Sequence, residues 1–386
     1  MTLPVIDLSL AASDPLGVAD QIDRAARDDG FFLVVGHGVP RSLRTDLDAA
    51  ARTFFALDEA TKAEVAMPLA GRAWRGWFPL GGELTSGLPD HKEGLYFGVD
   101  HPGDHPRVVA GDALHGMNRY PAQVPALAAL VPRYVEAVVE VAQQVLSLMA
   151  LALGVGEAWF REGITADPTV LFRIFRYPSL TSREPTSREA AWSVGEHTDY
   201  GLLTVLGGDG HGGLQVHRRG GWVDVEPHPE AFVCNLGDML ERLTGGTYRS
   251  TPHRVRYHDH RHDHAAGDAG GPGGPGADRL SFPLFLDPGW DRTVPALPLG
   301  GAALRGRERW DAEEPLAWTG RYGEYLTAKV ARVFPELFAA TAPTARSSPP
   351  ASSYADGSTR STSTSTSSCV VAPDDITTPR SGITSE

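Results

Sequence analysis

Between Val124 and Leu153 a long apolar stretch carries Arg133, Glu136, Glu140, Gln143 and Gln144 at three- and four-residue steps. That spacing predicts one helix with a single wet face, packed against the outside of a sheet rather than crossing a membrane. Gly154 is its predicted stop. Further on, the apolar runs are short. Gly201–Leu206 reads as a buried strand, and Ala231–Leu236 as another that ends at the turn signal Gly237-Asp238. The coarse order is helices and a few strands to about residue 170, many short strands to about 290, and a helix near Gly320–Phe338. This predicts an α+β chain: a double-stranded β-helix (jelly roll) with N-terminal helices and one C-terminal helix beside it.

Three divisions follow. Residues 1–165 form an N-terminal helix-and-strand region packing on the core, and residues 166–340 the jelly-roll core. In residues 342–386, 25 of 45 are Ser, Thr or Pro, too few apolar side chains to offset chain entropy, so this tail is expected to be disordered.

The strand-rich part also holds the candidate chemistry. His197-Thr198-Asp199 is followed, 54 residues beyond Asp199, by His253. Two imidazoles and one carboxylate in the order H-x-D…H are the ligand set of a non-haem iron(II) site, which covers one face of an octahedral ion and leaves the other open. If Glu196–Tyr200 is extended, His197 and Asp199 point to one side. Downstream, Arg279 and Ser281 share a strand face, where a guanidinium fork and a hydroxyl can clasp a carboxylate.

In order along the chain, PVIDL (4–8), GFFLVVGHGVP (30–40), HTDYGLLTVL (197–206), GLQV (213–216), NLGDMLERLTGGTYRSTPHRV (235–255) and RLSFPLF (279–285) resemble the isopenicillin N synthase-like branch of the 2-oxoglutarate/Fe(II)-dependent dioxygenases. The resemblance spans about residues 3–336. It implies the jelly-roll fold, iron held by His197, Asp199 and His253, and the C5 carboxylate of 2-oxoglutarate held by Arg279 and Ser281. Tyr177 matches the family tyrosine that adds a hydroxyl to that carboxylate. The implied activity is oxidation of a small molecule, foremost hydroxylation, with O2 consumed, succinate and CO2 released, and ascorbate stimulating. Two other readings stay open: an isopenicillin N synthase-like oxidase that uses no 2-oxoglutarate, and a non-catalytic metal-binding jelly roll. Thr198, between the two ligands, favours users of the keto acid.

Two departures stand out. Phe175 occupies the place where plant members usually have Asn. The gap from His253 to Arg279 is long, filled by His258–His264, with four histidines, and a Gly/Pro run to Gly276. It reads as a solvated hairpin loop, with a second metal site as the alternative. Substrate contacts are expected from the N-terminal half. There Trp77, Phe78, Tyr96 and Phe97 either cover the pocket or pack the helical layer onto the barrel.

Composition narrows the partners. A net charge of −13 argues against nucleic acid or an anionic membrane. The two cysteines, Cys234 in an apolar strand and Cys369 in the tail, give no disulfide framework and fit a reducing cytoplasm. The N-terminus shows no secretory pattern. The expectation is a cytoplasmic monomer acting on a small molecule.

Overall fold

A computed structural model describes residues 2–179, 192–257, 278–299 and 317–341. The His-rich 258–264 segment and the 342–386 tail, with the expectations attached to them, lie outside the described residues.

Among the described residues, twelve strands form two sheets: β1 (Val5–Asp7), β2 (Phe31–Val35), β3 (Gly76–Phe78), β4 (Glu93–Gly98), β5 (Thr169–Tyr177), β6 (Trp192–His197), β7 (Leu203–Gly208), β8 (Leu214–Arg218), β9 (Gly221–Asp224), β10 (Phe232–Leu236), β11 (His253–Arg256) and β12 (Arg279–Asp287). The larger sheet has the order β1-β2-β10-β7-β12-β5-β4-β3 and the smaller β6-β11-β8-β9. Every pairing is antiparallel except β1 with β2. This two-sheet core is the expected jelly roll. Strands from the N-terminal region complete both edges of its larger sheet.

Helices α1 (Pro15–Asp28), α2 (Arg41–Phe55), α3 (Glu59–Ala63), α4 (Pro106–Ala110) and α5 (Ala126–Ala152) come before β5. The others are α6 (Asp238–Leu243), α7 (Tyr322–Val333) and α8 (Pro335–Ala340). Helix α5 is the long helix read from the sequence, and Gly154 follows its end at φ 73°, a conformation that glycine takes at no steric cost. It buries Val131, Tyr134, Val138, Val141, Val145, Leu146 and Met149 at helical spacing against α1, α2 and the outer face of β7 and β12. Tyr134 meets Phe172, Phe232 and Phe282, one residue each from β5, β10 and β12 of the larger sheet. Burying each such side chain stabilises the fold by about 1.5–3 kcal/mol. By length and composition α5 could cross a membrane, but half of its most apolar window is already buried inside the protein.

The expected wet face needs one correction. Gln143 is buried and accepts a hydrogen bond from Thr165 Oγ1 at 3.1 Å, so a polar residue at the right period faces inward because a partner waits there. The single C-terminal helix is in fact two. Pro335 has no N–H to continue α7 and forces Phe334 to φ −132°, ψ 62°.

Strand β7 also starts later than the apolar run suggests. Gly201 and Leu202 form a turn instead, accepting backbone bonds from Met239 and Gly237 at 2.9 and 3.0 Å. Trp77, Phe78, Tyr96 and Phe97 are packing residues. All four are buried, and Phe78 meets Tyr96, Phe175 and Phe334 edge to face.

Candidate metal centre and cleft

His197 ends β6 and lies directly across from His253, the first residue of β11. Asp199 follows two residues past the strand end, so the three side chains meet at the mouth of the smaller sheet. Their ligand atoms all fall within 4.8 Å of one another, and the imidazole centroids are 4.2 Å apart. Nδ1 of His197 faces the Gly195 carbonyl at 2.8 Å, and Nδ1 of His253 faces that of Thr251 at 3.2 Å. A proton donated from each Nδ1 leaves both Nε2 atoms as electron-pair donors, the arrangement that orients metal-bound histidines. One carboxylate oxygen of Asp199 lies 3.7 Å from His253 Nε2. The other accepts hydrogen bonds from Thr204 Oγ1 and from Asn235 Nδ2 at 2.6 Å, which fixes the orientation of the carboxylate.

Electrostatics agree with a cation site. Burial and the adjacent His253 push His197 down to about 3, so its imidazole is neutral and able to ligate. Burial works to raise the Asp199 pKa, but the two histidines and the bonds from Thr204 and Asn235 outweigh it and hold it below the ordinary carboxylate range. Two imidazoles, one ionised carboxylate and an open side fit a divalent metal ion, and His197, Asp199 and His253 form a metal-binding site.

The N-terminal region grips this site from behind. Phe31, on β2, meets the His253 ring edge-on at 5.3 Å. Asp29, just before it, accepts two bonds from Arg218 at 2.7 and 2.6 Å, and its carbonyl accepts one from Thr251 Oγ1 at 2.6 Å. Gly30 sits at φ 64°, and a Cβ there would stand 2.1 Å from the Arg249 carbonyl oxygen. Only glycine fits that crossing.

The cleft between the sheets opens onto the metal ligands. At one end Arg279 of β12 stands opposite Tyr177 of β5, and Ser281 opposite Phe175. Arg279 is 5% exposed and lies 4.6 Å over the Tyr177 ring, yet its Nε and Nη1 have no hydrogen-bond partner among the described residues. Ser281 Oγ is 3.4 Å from the Tyr177 hydroxyl. A buried guanidinium with open donors, beside two hydroxyls, is built to accept a carboxylate. All six residues expected from the sequence therefore face one cleft. Phe175 fills the space of the family's Asn and lies under the Lys92 ammonium at 4.7 Å.

Other lining residues were not anticipated. Arg173 shares the inner face of β5 with Phe175 and Tyr177 by two-residue alternation. Glu83, Thr85 and Lys92 enter the cleft from the segment joining β3 to β4. Lys92 pairs with Asp90 at 2.7 Å and Glu83 at 2.9 Å. Burial would lower its pKa, but these carboxylates win and raise it. Asp287, at the far end of β12, is pushed up to about 7 by burial, even though Tyr322 donates a hydrogen bond to it.

Comparison with known proteins agrees with this geometry. Residues 3–123 match the family model described as the N-terminal region of non-haem dioxygenases in morphine synthesis, and residues 169–288 match the 2OG-Fe(II) oxygenase superfamily. A probable iron/ascorbate oxidoreductase of Dictyostelium discoideum is 38% identical over 87% of this chain and 95% of its own length. A homoarginine-6-hydroxylase of Glycine max is 33% identical, over 87% and 98%. The crystal structure of a 2OG-Fe(II) oxygenase family protein from Caulobacter crescentus superposes with a TM-score of 0.67 at 27% identity, covering 85% of this chain and 98% of the other. The chain belongs to the 2-oxoglutarate/Fe(II)-dependent oxygenase family, in its isopenicillin N synthase-like branch, and is an oxidoreductase that couples 2-oxoglutarate to the oxidation of a small molecule.

Proposed function

We propose that His197, Asp199 and His253 ligate the Fe(II), that Arg279, Ser281 and Tyr177 hold the C5 carboxylate of 2-oxoglutarate, and that the enzyme hydroxylates its substrate. The observation that carries this reading is the buried Arg279 with two unpartnered donors, in the same cleft as the three metal ligands.

When bound, Fe(II) activates O2, and decarboxylation of 2-oxoglutarate to succinate and CO2 supplies two electrons for insertion of one oxygen atom into a C–H bond. The chain's own residues do the positioning. The Gly195 and Thr251 carbonyls fix the imidazole tautomers, and Thr204 and Asn235 fix the Asp199 carboxylate. Arg279 orients the co-substrate by a bidentate contact, while Phe31, Val194, Leu206 and Phe285 give the cleft apolar walls that exclude water.

Homoarginine, in the name of the Glycine max relative, makes amino acids the first substrates to try. We also read the chain as a cytoplasmic monomer that binds neither nucleic acid nor membrane, on the strength of its charge of −13 and its two cysteines.

Anaerobic titration with Fe(II) and 2-oxoglutarate tests the assignment. A weak visible charge-transfer band is expected only when both are present, and succinate should form once O2 is admitted. O2 uptake with some substrate, but no succinate under any condition, would instead assign the Arg279 clasp to the substrate.

A further inference from the structure

The cleft holds a second, largely buried guanidinium with an unpartnered nitrogen. Arg173 lies on β5 with its side chain 13% exposed, and its Nε has no partner. None of its nitrogens donates a hydrogen bond to a described residue. Its closest carboxylate oxygen, on Glu83, is 3.5 Å away, and that carboxylate is already committed to Tyr96 Oη at 2.7 Å and Lys92 at 2.9 Å. The rings of Tyr96 and Phe285 lie 4.1 and 4.9 Å from the guanidinium carbon, so the cation rests against aromatic surface that offers it no hydrogen-bond acceptor, and its side chain lines the cleft.

The carboxylate assigned to Arg279 cannot also serve Arg173. Arg173 is four residues before Tyr177 on the same strand face, about 13 Å along an extended chain at ~3.3 Å per residue, with Phe175 between them. The other cation of the cleft, Lys92, is bound by Asp90 and Glu83 at 2.7 and 2.9 Å and so has its contacts already made. A buried cation without a hydrogen-bonded counter-charge is costly unless a ligand completes it.

We propose that Arg173 is the anchor for a carboxylate on the substrate to be oxidised, so that the enzyme acts on organic acids, amino acids among them, rather than on neutral molecules. Arg279 and Arg173 then each hold one acid, in the cleft that the metal ligands also line. This rests on the reading that Arg279 holds 2-oxoglutarate.

The test uses the full chain loaded with redox-silent Mn(II) and 2-oxoglutarate. Calorimetry and thermal shift are read against a panel of small carboxylic acids, each paired with its primary amide. The amide keeps the shape and loses the charge. Acids should bind the wild type, and their amides should bind about tenfold or more weakly, the worth of a charge-assisted hydrogen bond. Arg173→Gln should bind acid and amide alike, Arg173→Lys should recover part of the preference, and affinity for 2-oxoglutarate should stay within about threefold in both. The proposal is overturned if no acid is preferred by the wild type, a result that needs no variant to fold. It is equally overturned if Arg173→Gln keeps the preference, or weakens 2-oxoglutarate instead of the acid. Failure of 2-oxoglutarate to bind the wild type at all would point to the underlying co-substrate reading.

Discussion

Arg279 and Tyr177 face each other across the β12–β5 ladder, with the guanidinium 4.6 Å over the phenol ring and two of its nitrogens without a hydrogen-bond partner among the described residues. The tyrosine thus holds the arginine's plane while its hydroxyl stays beside Ser281.

Replacing Arg279 with Ala should raise the KM for 2-oxoglutarate far more than that for the oxidised substrate. A buried, hydrogen-bonded charge pair is worth on the order of 2–5 kcal/mol, so the loss should be roughly thirtyfold or more at ~1.4 kcal/mol per decade. Steady-state kinetics with each substrate varied in turn decide it. A defect confined to the oxidised substrate would favour an oxidase that uses no keto acid.

Asp199→Ala or His253→Ala should abolish turnover while the circular dichroism spectrum stays near that of the wild type, since neither side chain is part of the apolar core. Asn235→Ala is subtler. It removes the 2.6 Å bond that orients Asp199 and should weaken iron binding by about 10- to 100-fold, the usual effect of losing a residue that supports a metal ligand. Iron content after dialysis checks both, and full iron occupancy in Asp199→Ala would end the metal assignment.

Much of the site could be read in the chain because strand geometry turns spacing into direction. Arg279 and Ser281, two apart on β12, do share a face, while His197 ends β6 and Asp199 converges with it from two residues past the strand end. Arg173 has the same spacing from Phe175, but an arginine in an apolar strand looks identical whether it points into a cleft or out to solvent. Lys92 and Glu83 are harder still, since their direction depends on where an irregular segment crosses the sheet. Gln143 misleads for the opposite reason, because its period matches the wet face while Thr165 draws it inward.

Asp287 should leave a signature in the pH dependence of stability. Burial raises its folded pKa to about 7 from an ordinary 3.8, so the folded state holds a proton that the unfolded state has lost over that interval. The associated stability is full below about pH 4 and declines as pH rises towards 7. Asp287→Asn cannot lose that proton, and its denaturation midpoint should fall less between pH 4 and 7. Parallel slopes for the two proteins would refute the assignment.

Gly30→Ala should destabilise the protein well beyond a routine surface change. The left-handed backbone alone costs about 1–3 kcal/mol for a residue with a side chain, and the added carbon meets the Arg249 carbonyl. Urea denaturation measures the loss. Iron affinity should drop with it, because this crossing seats Phe31 against His253. A midpoint within error of the wild type would show that the crossing relaxes freely.

The grip of Asp29, Gly30 and Phe31 on β8, β10 and β11 also bears on how such enzymes can diversify. The residues that ligate metal come from one stretch of sequence, but the wall behind them comes from another, some 200 residues earlier. Exchanging the oxygenase segment alone between relatives would bring in new ligand loops without the ion pair, the glycine crossing and the aromatic edge that seat them. Productive recombination would have to carry both stretches together, and new substrates are more readily reached by altering the cleft-lining segment between β3 and β4, which supplies neither a metal ligand nor the wall behind one.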